Sequence, residues 1–64
     1  MKFIELHYNG ERLSLRVDLI ASVAEYEDRG YTEVGMAGET GGWNVDESYE
    51  KVLEMILEVE DGQR

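Results

Sequence analysis

Apolar and polar residues alternate from Phe3 to Val17. Ile4, Leu6 and Tyr8 share one parity, and Phe3, Glu5 and His7 share the other. After Asn9-Gly10 the alternation resumes, with Leu13, Leu15 and Val17 set against Arg12, Ser14 and Arg16. Two period-two segments joined by Asn-Gly predict a hairpin, because a type I′ turn needs positive φ at both central residues. A two-residue loop fixes the register: Tyr8 faces Glu11, Leu6 faces Leu13, and Ile4 faces Leu15. Phe3–Arg16, Glu5–Ser14 and His7–Arg12 then pair on the opposite face. A slip of one residue would send every apolar side chain to water, so the register is firm.

Asp18-Leu19-Ile20 breaks the alternation and predicts a tight corner or a single helical turn. Ala21 to Glu27 reads as a third strand, with Val23 and Tyr26 its bulky members. Asp28-Arg29-Gly30 reads as a turn, and Tyr31 to Met36 as a fourth strand with Thr32, Val34 and Met36 on one face. Residues 37–42 form a loop holding three glycines, and Trp43-Asn44-Val45 is a short fifth strand.

From Asp46 the period changes. Tyr49, Val52, Leu53 and Ile56 follow the i, i+3, i+4, i+7 rule and predict a helix over 46–60. Asp46 is the expected N-cap, Glu47 and Glu50 suit the positive end of the dipole, and Glu47–Lys51 is a favourable i,i+4 pair. Gly62 stops the helix and residues 62–64 form a tail. The expected fold is α+β: one domain over 1–61, with an antiparallel sheet of four to five strands covered on one face by the C-terminal helix. Its predicted core is Ile4, Leu6, Leu13, Leu15, Val17, Ile20, Val23, Val34, Trp43, Val45, Val52, Leu53 and Ile56.

The chain has 64 residues and no cysteine. A domain this small buries only about 60% of its unfolded surface, and no disulfide or thiolate metal site supplements the core. Surplus apolar side chains therefore suggest a second chain. Met55, Leu57 and Val59 widen the helical stripe beyond one face, and Phe3 lies on the polar side of the hairpin. A homodimer is expected, with Met55, Leu57 or Val59 in the contact.

Charge narrows the function classes. Six basic residues against fifteen acidic ones give a net charge of −9. This field repels phosphate backbones, which argues against direct nucleic-acid binding, and it favours basic protein partners. No apolar run approaches the ~20 residues that span a bilayer, and Glu5 interrupts the start of any signal-like segment, so a cytoplasmic, non-membrane protein is expected.

Enzyme signals are weak. His7 is the single histidine and sits opposite Arg12. Ser14, Ser22 and Ser48 lack a nucleophile-elbow context. Gly38-x-x-Gly41-Gly42 has no following lysine and precedes a strand, so it does not cradle phosphate. The carboxylates Glu25, Glu27 and Asp28 do not reproduce calcium-loop spacing. No catalytic residue, metal ligand or cofactor is expected. The candidate interaction residues are Phe3, Tyr26, Tyr31, Met55, Leu57, Val59, Glu54 and Glu58, because aromatic and apolar side chains beside carboxylates make recognition surfaces.

Several motifs resemble the small bacterial FlbD family, also called swarming motility protein SwrD. They are Asn9-Gly10, Val17-Asp18-Leu19-Ile20, Val23, Thr32-x-Val34 and Val45-x-Glu47-Ser48-x-Glu50-x-Val52, and the resemblance around them covers residues 3–56. The chain departs from that pattern where the corner lacks an Asn-Pro before Asp18 and where the turn before Trp43 is glycine-rich. The resemblance implies a flagellar or swarming accessory role and supplies no catalytic residues. Similar short chains also resemble small phage and prophage proteins of unknown role.

The expected function is a small, acidic, non-enzymatic module that binds a larger partner protein and regulates or inhibits it, as a phage- or prophage-type accessory protein would. The flagellar role is one alternative. Nucleic-acid mimicry is another, with Glu47, Glu50, Glu54, Glu58 and Asp61 as a row of charge along the helix.

Overall fold

A computed structural model describes residues 2–61, and the predicted stop at Gly62 and tail at 62–64 lie outside the described residues. Strands β1 (Phe3–Tyr8) and β2 (Glu11–Arg16) form the predicted hairpin. Asn9 and Gly10 take φ of 51° and 82°, as the type I′ turn requires. Every cross-strand pair from Phe3–Arg16 to Tyr8–Glu11 is in the expected register. Ile4, Leu6 and Leu15 are buried, and Leu13 and Val17 pack against them.

A 3-10 turn, Val17–Leu19, makes the corner. Strands β3 (Ile20–Tyr26), β4 (Tyr31–Met36) and β5 (Gly42–Val45) follow in an antiparallel meander. A register irregularity between Ile20 and Ser22 opens β3, where the corner delivers the chain. The structure corrects the expectation of one sheet of four to five strands: β1–β2 and β3–β4–β5 are two separate sheets. The 3-10 turn and the irregularity after it redirect the chain, so β2 and β3 do not pair. The sheets meet instead where β1 lies beside β5, and the Asp46 N–H donates to the His7 carbonyl at 2.7 Å.

Helix α1 (Tyr49–Asp61) packs against β1 of one sheet and β3 of the other. It begins later than the predicted Asp46. Ser48 is the N-cap: its Oγ accepts the Lys51 N–H at 3.2 Å, and its carbonyl accepts the Val52 N–H at 3.0 Å. Asp46 is committed elsewhere, its carboxylate accepting the Gly10 N–H at 2.8 Å.

Contact with two sheets widens the arc of α1 that can be covered. Val52 is buried, and Met55, Ile56 and Val59 pack against the core. Met55 and Val59 are therefore not surplus to this fold, whereas Leu57 is 60% exposed. The buried core is Ile4, Leu6, Leu15, Val34, Val45 and Val52. Leu53, half-buried and not among the side chains packed on this cluster, is corrected out of it, and so is Trp43. Trp43 pairs with Val34, but near the end of the strand, and is 38% exposed with its ring edge-on to Tyr8 at 5.6 Å.

Candidate functional site

The β3–β4 turn and the linker between β5 and α1 enclose an open cleft of about 390 Å³. Its first wall comes from the turn. Tyr26 and Tyr31 are the last register pair before residues 27–30, where Gly30 takes φ of 73° and allows the reversal. Opposed residues in an antiparallel pair share a face. The two rings meet at 5.6 Å, tilted by 49°. Glu25 and Glu27 flank Tyr26 and line the same cleft.

The second wall is Asp46, Glu47 and Ser48, with the buried Thr32 also lining the cleft. This wall is tied to the hairpin. His7 Nδ1 lies 2.6 Å from Glu47 Oε2, and the His7 N–H donates to Glu47 Oε1 at 2.9 Å. The predicted Glu47–Lys51 pair does not form, because Glu47 precedes the helix and turns to β1. Lys51 instead reaches Glu54 at 3.4 Å.

The electrostatics follow from these partners. The hydrogen bond to Glu47 raises the His7 imidazole above 6.5; desolvation opposes this, and the charges of Glu47, Glu5 and Asp46 add to the rise. Burial pushes the Glu47 carboxyl up, but hydrogen bonds from the His7 ring and backbone outweigh it, and the net direction is down from 4.5. The Glu33 carboxylate beside the Tyr26 hydroxyl raises that phenol.

Glu25, Glu27 and Asp46 have no ion-pair partner among the described residues. At the rim, Arg29 donates to the Tyr31 hydroxyl at 3.3 Å, so one guanidinium already sits at the tyrosine pair. Two aromatic faces beside unpaired carboxylates suit a second cationic group, through ring quadrupoles and charge-assisted hydrogen bonds.

The remaining candidates are dispersed. Phe3 is 50% exposed on the outer face of the hairpin, opposite Arg16, whose guanidinium is bonded to Asp18 at 2.8 Å. Leu57, Glu54 and Glu58 are exposed on α1. Glu47 leaves the predicted acidic row, since it lies off the helix and pairs with His7. A second cleft, lined by Gly38 to Trp43, offers Glu39 as its only charged side chain.

Among the described residues no group of three or more His, Asp or Glu side chains is placed to hold a metal ion. No helix among them is long and apolar enough to cross a membrane.

Tyr26 and Tyr31 were legible as candidates because they flank a turn. The facing wall was not, because Glu47 and His7 are forty positions apart in the chain. No protein-family model, characterised protein or solved structure matches this chain.

Proposed function

We propose that this protein is a non-enzymatic binding module that captures a basic segment of a larger protein and thereby regulates or inhibits it. The observation that carries the reading is the cleft in which Tyr26 and Tyr31 stand beside the carboxylates of Glu25 and Glu27, which have no ion-pair partner among the described residues, and of Asp46, which accepts only the Gly10 N–H. An arginine side chain entering it would stack on a tyrosine ring while its N–H groups reach carboxylate oxygens. The net charge of −9 supplies a long-range field that speeds encounter with such a segment.

A fluorescently labelled oligo-arginine peptide tests the reading by anisotropy. Binding should weaken severalfold in Tyr26→Ala and Tyr31→Ala, and fall as salt rises from 0.05 to about 0.3 M, where screening shortens to well under ~10 Å. Undiminished binding by the folded double variant would overturn the cleft as the site. Loss only in a Glu54→Gln/Glu58→Gln variant would transfer recognition to the helix.

A further inference from the structure

The Glu47 carboxylate lines the cleft and is also bonded through both oxygens to His7. We propose that His7 is a proton switch on the cleft: protonated, it holds Oε2 of the Glu47 carboxylate, and neutral, it loosens that hold so that a cationic side chain can take the oxygen. The inference rests on the cation-binding reading of the cleft.

The geometry makes the two cations competitors. A guanidinium approaching Glu47 from the cleft finds Oε2 against the imidazole ring and Oε1 on the His7 backbone N–H. An imidazolium also repels a second positive charge placed on the same carboxylate. Loss of the proton removes that repulsion and weakens the hold on Oε2.

The surrounding charges do not replace it. Asp46 comes from the same linker, and Glu5 lies on the same strand. Arg12, across the hairpin, is turned to Glu5 at 3.2 Å. Strand β5 carries no charge, and Glu50, Lys51, Glu54, Glu58 and Glu60 of α1 are exposed.

His7 is the single histidine in the chain. Histidine is the side chain whose ordinary titration falls between pH 5 and 8, so a change across this range reports on His7. Linkage requires the effect to be mutual: a cation in the cleft must lower the proton affinity of His7 by the factor that the proton lowers binding.

Calorimetric titration of the full chain with a hexa-arginine peptide at pH 5.5 and 7.5 tests the switch. The association constant should rise about fivefold across this range. The His7 ring, followed by NMR, should titrate at lower pH when the peptide is bound. His7→Gln should bind equally at both pH values. Equal binding by the parent at both values, with an unmoved His7 titration, overturns the switch and leaves the cleft reading standing. Persistent pH dependence in His7→Gln also overturns it. Absence of binding at every pH overturns the cleft reading and the switch with it.

Discussion

His7 and Glu47 are joined twice: the imidazole Nδ1 lies 2.6 Å from one carboxylate oxygen, and the backbone N–H donates to the other at 2.9 Å. The pair fastens the first strand to the segment that starts the helix. The Glu47 side chain is only 16% exposed and that of His7 is 42% exposed, so solvent screens the imidazole side more.

The pair makes stability depend on pH with a defined sign. Folded His7 holds its proton more tightly than an unfolded histidine, whose ordinary value is 6.5. Its contribution is complete below that value and is lost as pH rises through the raised folded pKa. Folded Glu47 titrates below its ordinary 4.5, so its contribution is present above that value and lost as pH falls through the lowered pKa. The difference in melting temperature between the parent and His7→Gln should therefore be largest near pH 5–6 and shrink by pH 8. A difference that grows from pH 6 to 8 would contradict the charged pair.

Ser48 takes the N-cap role expected of Asp46, and Asp46 holds the Gly10 amide instead. Ser48→Ala removes the N-cap and should cost about 1 kcal/mol, or roughly 4–8 °C in melting temperature for a domain this small. Asp46→Ala should instead expose the Gly10 amide, whose N–H donates to Asp46 Oδ2 at 2.8 Å. Hydrogen exchange read by NMR distinguishes them: Gly10 loses protection only in Asp46→Ala, and Lys51 only in Ser48→Ala.

Local physics made much of this fold legible. The hairpin register follows from Asn9-Gly10 and strict alternation, and every pair from Phe3–Arg16 to Tyr8–Glu11 agrees. The division into two sheets was not legible, because Val17–Leu19 reads equally as a corner within one sheet or a change of sheet. The cap was misassigned because Asp46 and Ser48 are both good N-cap types, and only the Gly10 N–H from a distant turn decides between them. Half of the cleft was legible in Tyr26 and Tyr31. The other half depends on a contact across the whole fold.

Leu6 and Leu57 test the assignment of inside and outside. Leu6 is fully buried between the hairpin and the rest of the core, whereas Leu57 is 60% exposed on the helix. Leu6→Ala should cost about 2–5 kcal/mol, enough to unfold a large fraction of so small a domain. Leu57→Ala should stay within about 0.5 kcal/mol in an isolated chain. Urea denaturation at low micromolar concentration measures both. A large, concentration-dependent cost for Leu57→Ala would show that a second copy covers the helix, as the expected homodimer requires.

Gly41 and Gly42 are neighbours in sequence with opposite tolerance for a side chain. A Cβ on Gly42 would come 2.8 Å from the Val34 carbonyl oxygen and 2.8 Å from Glu33 Cγ. The Glu33 side chain can swing away, but the carbonyl belongs to the strand paired with β5 and cannot move without breaking the ladder. Gly42→Ala should therefore destabilise by about 1–3 kcal/mol, the usual range for forcing atoms into filled space. A Cβ on Gly41 meets nothing within 4 Å, and its backbone is not in the left-handed region. Gly41→Ala should be neutral or stabilise by about 0.4–1 kcal/mol, because alanine narrows the unfolded ensemble. Thermal melts of the two variants decide the matter. Equal melting temperatures would mean that β5 does not lie against β4 in the register that brings Gly42 opposite Gly35.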